Sequence, residues 1–381
     1  MSDAKRIAEY VEAKKEDFLN ILREAVELES PTYESKEASD RCGKYFQELY
    51  RQLGFSVRTL PQTECGDHFI AELGSGDETI YFVGHYDTVF SLGTLKTMPW
   101  KVVGNQAFGP GALDMKGGLI GLYFAVKALQ DLEIPITRKI KIFVSGDEEP
   151  GSKTSQKHIM EEAQGCKCAF VLEPGKKNVG DIKTARLGKG GFKIYAHGKS
   201  SHSGNSPREG ISAAVELGYQ ISQIIQLNDY DRGITVAPVY IGAGTDDMCM
   251  VPGEGWITVD VRVSKLEYLK EVEEGLRQLK PHQEGCWLEI TGGMEKPPLE
   301  FNEQNQHLFQ IADALANELG YSLCQNTVGG GSDGNFVAST GVPTLDGMGM
   351  CGEFLHNPKE YVNLDALVPR VTLLARLIQT V

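Results

Sequence analysis

Residues 140–152 read Ile140-Lys141-Ile142-Phe143-Val144-Ser145-Gly146-Asp147-Glu148-Glu149-Pro150-Gly151-Ser152. A largely apolar run of strand length ends abruptly in three consecutive carboxylates. Charges this close repel one another and resist burial, so packing gives no reason to place them at the end of a buried strand. A bound cation would remove the difficulty, neutralising one carboxylate and leaving its neighbour free as a base. A solvated acidic turn ahead of a helix explains the same residues, since Asp and Glu favour the first helical turn. The stretch alone does not choose between the two.

Working outward, Thr79–Gly84 is a short continuous apolar run of the kind that forms a strand buried on both faces, and it ends in His85-Tyr86-Asp87. Side chains alternate along a strand, so His85 and Asp87 project to one side. Gly109–Gly118 contains Asp114 and opens an apolar helix over Leu119–Leu129. Cys168–Leu172 reads as a further strand and ends in Glu173-Pro174-Gly175. Helix and strand alternate, with polar residues repeatedly at strand C-terminal ends, which is the edge where open α/β sheets bind ligands. The N-terminal stretches 3–28 and 36–53 are amphipathic and helical, and 88–110 reads as loop.

From about residue 188 the pattern changes. Strands at Phe192–His197, Ile234–Gly242, Trp256–Val263 and Cys286–Thr291 and helices at Gly210–Leu227 and Lys265–Leu279 follow the order β-α-β-β-α-β, which builds a compact α+β domain. After residue 297 the earlier style returns, with a helix over Gln304–Leu319, a Gly-rich loop Gly329–Gly334, the stretch Gly352–His356 and a closing helix at 363–380. The expected organisation is an α/β domain with a mainly parallel mixed sheet, built from residues 1–187 and 297–381 and interrupted by an inserted α+β (ferredoxin-like) domain at 188–296. A chain of 381 residues is long for one core.

Composition bounds the partners. Hydrophobic content of 41%, charged content of 24% and 43 glycines describe an ordinary globular α/β protein. A net charge of −14 argues against non-specific nucleic-acid binding and against an anionic membrane surface. No apolar run is long enough to span a bilayer. The eight cysteines show no Cys-x-x-Cys pair, and the N-terminus leads into a charged helix without an apolar signal core. The expectation is a cytoplasmic protein with free, mostly buried thiols.

Collected at predicted strand ends are His85, Asp87, Asp114, Asp147, Glu148, Glu149, Glu173 and His356. Each has an ordinary reading alone: Asp114 as a helix cap, Glu173 as a solvated turn, either histidine as a hydrogen-bonded loop residue. Together, two histidines and several carboxylates are the donors that zinc, and then cobalt or manganese, prefer.

These motifs carry a resemblance. Gly84–Val89, Gly111–Gly118 and Asp147–Ser152 look like the signatures, in order, of a co-catalytic zinc family that includes carboxypeptidase G (glutamate carboxypeptidase), acetylornithine deacetylase and succinyl-diaminopimelate desuccinylase. Ser200–Gly204 and Phe354-Leu355-His356 bring the chain nearest to the carboxypeptidase G branch. The resemblance implies one zinc on His85, Asp114 and Glu173 and another on Asp114, Glu149 and His356. Asp114 would bridge the two, an arrangement with physical sense for dications ~3.5–4 Å apart. It implies Glu148 as general base, Asp87 as the partner that orients His85, and His202 as an oxyanion donor reaching the other subunit of a homodimer formed through the inserted dimerisation or lid domain. Arg262, Lys296, Gly331 and Ser332 match substrate-binding positions. Two departures bear on specificity: Lys296 stands where the branch carries Arg, and Cys249 where relatives carry a substrate-contacting Asn.

The implied reaction is hydrolysis of an amide bond in a small peptide or N-acyl amino acid, most closely that of a glutamate carboxypeptidase, with an N-acyl-amino-acid deacylase as the alternative within the family. A catalytically silent dimeric binding protein would be marked by loss of Glu148 or of a ligand, and neither is lost. A two-metal phosphoesterase would carry clustered Arg or Lys beside the ligands, and the sequence shows none.

Overall fold

The computed structural model describes residues 2–246 and 248–381. Two compact units form, one from Met1–Ala185, Phe301–Thr327 and Ser332–Val381, the other from Arg186–Glu300 and Val328–Gly331.

The first unit is built on a six-stranded sheet in the order Ser56–Leu60, His68–Leu73, Lys139–Ser145, Thr79–His85, Cys168–Val171, Thr344–Leu345. The last four run parallel, and His68–Leu73 lies antiparallel between Lys139–Ser145 and Ser56–Leu60. The sheet is therefore mixed and mainly parallel. The two faces bury different residues of the same strand, as period-two alternation requires. Ile80 and Phe82 pack with the helices Asp3–Ala13, Lys15–Glu27, Gly117–Asp131, Glu303–Glu318 and Leu367–Thr380, whereas Tyr81 and Val83 pack with Ile159, Phe336 and Val337 of the helices Gln156–Ala163 and Asp333–Ser339. Burial on both faces accounts for the unbroken apolar reading of the central strands.

The structure differs from the sequence reading at several points. The helical stretch 3–28 is two helices, parted at Lys14. Within 88–110 a short hairpin, Lys101–Val103 with Gln106–Phe108, joins Tyr361–Asn363 and Gly352–Glu353 in a four-stranded sheet. The helix after the acidic stretch begins only at Gln156, because residues 146–155 are tied up in a loop. A strand at Asp181–Arg186, paired with Cys324–Val328, was not anticipated, since its mixture of charged and small residues carries no clear alternation.

The second unit carries an antiparallel four-stranded sheet in the order Ile234–Ala243, Glu254–Val263, Gly188–His197, Trp287–Lys296. Its helices Ala213–Ile224 and Leu266–Arg277 cover one face, where Ile194, Ile257, Val259, Leu217, Leu269 and Val272 form the core. With the chain order β-α-β-β-α-β, this is a ferredoxin-like α+β unit.

Candidate functional site

Five side chains of the first unit converge at the C-terminal edge of the parallel strands. His85 ends the strand Thr79–His85 and pairs in register with Ser145, which puts it beside the start of the acidic loop. Glu149 lies in that loop and Glu173 follows the strand Cys168–Val171. Asp114 sits in the turn before the helix Gly117–Asp131, and His356 lies between Gly352–Glu353 and Tyr361–Asn363. Glycine permits the close approach: a Cβ on Gly118 or on Gly349 would meet the carbonyl oxygen of Leu172 at 2.2 or 2.1 Å. Both segments thereby close on the residue preceding Glu173.

The donor atoms fall into two groups that share Asp114: His85, Asp114 and Glu173, then Asp114, Glu149 and His356, each with its donors within 4.8 Å of one another. His85 Nε2 is 3.4 Å from Asp114 Oδ1 and 3.5 Å from Glu173 Oε1. His356 Nε2 is 3.3 Å from Asp114 Oδ2 and 3.2 Å from Glu149 Oε2. A tetrahedral centre with bonds of ~2.0–2.2 Å separates its ligand atoms by about 3.3–3.6 Å. These separations are long for hydrogen bonds and right for edges of such a tetrahedron. Furthermore, His85 Nε2, Asp114 Oδ1 and Glu149 Oε1 are buried without a hydrogen-bond partner. Orphaned buried donors of this kind need a partner, and a divalent cation in each group supplies it. The residues present fit two metal ions.

Electrostatics points the same way. Burial pushes the Glu149 carboxyl up to about 7; His356 pulls against this and Asp114 adds to it. Asp114 and Glu149 together raise His356 to about 10. Burial disfavours a charged His85, yet the carboxylates of Asp114, Asp87 and Glu173 hold it well above its ordinary value. Burial and Glu173 also work against an ionised Asp114, but His356 and His85 keep it below its usual range. Carboxylates buried this close together need positive charge beside them, which a divalent cation supplies.

Around the donors stands a second set of residues. His85 Nδ1 lies 3.0 Å from the Asp87 carbonyl oxygen and 3.3 Å from Asp87 Oδ1, which leaves Nε2 facing the centre. The Asp87 carboxylate does more than orient His85. Oδ1 accepts the Glu148 N–H at 3.1 Å, and Oδ2 accepts the Glu149 N–H at 3.2 Å and the Thr32 hydroxyl at 2.7 Å. Asp87 is fully buried and Glu148 nearly so.

Two residues at this centre, and a third at the root of the acidic loop, escaped the sequence reading. Glu360 is fully buried, and its Oε1 accepts the backbone N–H groups of Leu113 and Asp114. Lys183, buried on the unanticipated strand, places Nζ 3.5 Å from Glu173 Oε2. His68 lies at the start of its strand with no exposed surface. The spacing of Glu360 four residues after His356 was the one available signal, and a lone Glu in a polar loop is a weak one. Cys65, His68 and Asp147 form a third cluster of potential donors. It does not fit a metal, because its atoms are already partnered: the Thr154 hydroxyl meets His68 Nε2 at 2.8 Å, Cys65 Sγ at 3.4 Å and Asp147 Oδ2 at 2.8 Å.

The remaining expected residues belong to the second unit or its border. His202 is exposed, and its Nδ1 accepts the N–H groups of Gly204 and Asn205, both at 3.1 Å. That fixes the tautomer with the proton on Nε2, presented as a donor. Residues Ser201–His202 pair with Met250–Val251, and Ser203 N–H donates to the Cys249 carbonyl, so His202 and Cys249 lie close together. Arg262 forms a fork with Asp260 at 2.7 and 3.0 Å and donates to the Gly329 carbonyl. Lys296 is buried, and the Gly331 carbonyl accepts from Arg186. Ser332 is fully buried as the cap of the helix Asp333–Ser339, accepting the Gly334 N–H and donating to Asp346.

Among the described residues no helix is long and apolar enough to cross a membrane. A sequence model of peptidase family M20/M25/M40 matches residues 81–380. Carboxypeptidase G2 of Pseudomonas sp. is 28% identical over 372 residues, covering 94% of this chain and 88% of the relative. Succinyl-diaminopimelate desuccinylase of Rhodospirillum centenum is 24% identical, covering 91% and 92%. The crystal structure of aminopeptidase PepT from Bacillus cereus superposes with a TM-score of 0.82 at 23% identity, covering 96% of this chain and 98% of that one, a likeness of fold. With the matched family model spanning most of the chain and the donor groups assembled at the sheet edge, the chain belongs to peptidase family M20/M25/M40, a metal-dependent family, and is a metallopeptidase or amidohydrolase.

Proposed function

We propose that the protein is a dinuclear zinc hydrolase, with cobalt or manganese as substitutes, that cleaves an amide bond in a small peptide or N-acyl amino acid. Within that class we assign it as a carboxypeptidase of the glutamate carboxypeptidase type. The observation that carries this reading is the pair of three-donor groups joined through Asp114, with Glu148 beside them. When bound, such a cation pair supplies Lewis-acid polarisation of a carbonyl and acidifies water.

The residues then divide the work. His85, Asp114 and Glu173 hold one cation; Asp114, Glu149 and His356 hold the other. Glu148 takes the proton of the attacking water and returns it to the nitrogen of the leaving amine. Asp87 fixes the His85 ring and, through the Glu148 N–H, the backbone from which the base projects. The Nε2–H of His202 donates to the oxyanion of the tetrahedral intermediate, serving the site of the partner subunit in a homodimer assembled through the inserted unit. Arg262, Lys296 and the loop at Gly331 and Ser332 recognise the substrate carboxylate. For Arg262 this means sharing its fork with Asp260. A cytoplasmic location completes the reading.

Relatives of both peptidase and desuccinylase kind favour a second assignment, deacylation of N-acyl amino acids. A substrate panel on the zinc-loaded protein separates the two. Turnover of folyl- or benzoyl-glutamate with acetylornithine untouched supports the carboxypeptidase, and the reverse result replaces it with the deacylase.

A further inference from the structure

The acidic loop leaves the sheet at Gly146 and reaches its helix at Gln156, and both of its ends converge on one buried imidazole. His68 opens a strand that runs antiparallel to Lys139–Ser145, with Phe69 opposite Val144, so its ring lies at the point where the loop departs. Its Nδ1 accepts the Gly146 N–H at 3.0 Å. That bond sets the neutral tautomer and puts the ring proton on Nε2, which faces the Thr154 hydroxyl at 2.8 Å. Since Thr154 Oγ1 accepts from His68, its own proton goes to Asp147 Oδ2, at 2.8 Å. The same carboxylate takes the Thr154 N–H at 2.7 Å and the Ser155 hydroxyl at 2.5 Å. Cys65 Sγ also lies 3.4 Å from the Thr154 hydroxyl, but a thiol is a far weaker acceptor than the Asp147 carboxylate, so the Thr154 proton points to Asp147. His68 and Asp147 are both fully buried, whereas Thr154 reaches the surface.

Glu148 and Glu149 lie between the two anchored ends. A ligand carboxylate is aligned by its cation once that is bound, but a base is aligned by the backbone that carries it. We propose that His68, Thr154 and Asp147 form a proton-ordered brace that positions Glu148, so that the brace governs the rate of bond cleavage and not the binding of metal or substrate. The brace rests on the assignment of Glu148 as base. These are positioning residues: they touch neither the donors nor the reacting atoms, and they act through the loop. A displacement of about 1 Å at a reacting group is worth about 10²-fold in rate.

The test uses the zinc-loaded full chain with Thr154→Val, which deletes the hydroxyl, and Thr154→Ser, which keeps it. Thr154→Val is expected to lower kcat by about 10–100-fold with KM within about twofold and metal content unchanged, and Thr154→Ser to stay within about threefold of wild type. A second readout needs no turnover. In the metal-free protein, amide exchange across Gly146–Ser155 should speed up by about tenfold in Thr154→Val and hold at the wild-type rate in Thr154→Ser. Wild-type kcat in Thr154→Val, equal losses in the two variants, or a loss of rate that follows a loss of metal would each overturn the brace. Glu148→Gln is assayed alongside. Retained turnover there overturns the base assignment, while the exchange difference between the two Thr154 variants still decides whether the brace exists.

Discussion

Glu360 holds Asp114 by its backbone: the buried carboxylate Oε1 accepts the N–H of Leu113 at 3.0 Å and of Asp114 at 3.3 Å, while Oε2 has no hydrogen-bond partner. Burial pushes this carboxyl up to about 8, and the neighbouring Asp114 charge adds to the effect. The shared ligand of both donor groups is thus fixed from behind by a residue only four positions after His356. Gln in place of Glu360 retains the accepting oxygen, and Leu does not. We expect Glu360→Gln to bind two cations and keep most activity. Glu360→Leu leaves two buried N–H groups unpaired, each worth about 1–3 kcal/mol. Thermal melts and metal titration of the two variants check this; equal behaviour would remove Glu360 from the site.

Glu148→Gln removes the base and leaves its shape. Loss of a general base typically costs about 10²–10⁴-fold in rate. The variant should retain both cations and its melting temperature, with the loss confined to kcat. Steady-state kinetics together with metal analysis on one preparation gives the answer.

His202 and Glu148 are assigned to different subunits of each site, and mixing tests that. His202→Ala should lose about 10²–10³-fold in kcat, the usual cost of an oxyanion donor. A hybrid dimer of His202→Ala with Glu148→Gln contains one site with both changes and one with neither. Activity recovered on mixed reassembly supports donation across the interface. Inactivity of confirmed hybrids would place His202 in service of its own subunit.

The buried His68 gives a pH dependence of stability. Burial lowers its proton affinity below the ordinary value of about 6.5, against the pull of Asp147 and Asp87, with His158 adding to the lowering and Asp67 opposing it. The folded state then binds fewer protons than the unfolded state as pH falls below about 6.5, so the His68 contribution shrinks on acidification, by at most about 1.4 kcal/mol per pH unit. Urea unfolding of the chelated protein should show the gap between wild type and His68→Asn narrowing from pH 7.5 to 5. A constant gap would exclude a neutral, buried His68.

What could be read from the sequence follows from where the physics is local. Apolar runs such as Thr79–Gly84 declare themselves because burial on both faces leaves no polar position. Asp114 and His356 lie in turns and came from the family resemblance, whereas His85, Glu149 and Glu173 could be found because they stand at or just past the ends of such runs. Glu360, Lys183 and His68 could not: their roles arise from contacts with segments 246, 10 and 78 residues away, and no periodicity records such contacts. Asp147 was visible but had no function in the sequence beyond support. The fold supplies one, with Thr154 and Ser155 folded back onto its carboxylate. The Gly-rich surroundings of Ser332 suggest a substrate loop, and the fold adds a capping box completed by Asn335 three residues on.

The shared role of Asp114 is tested most directly by counting metal against turnover. The protein is stripped with a chelator, assayed on dipeptides and N-acyl amino acids, and then titrated with zinc while bound metal is measured. We expect no activity in the stripped protein, full recovery at two zinc ions per chain, and loss of both ions together in Asp114→Ala. Activity that survives complete demetallation, or full recovery at one ion with Asp114→Ala still binding it, would contradict the dinuclear centre.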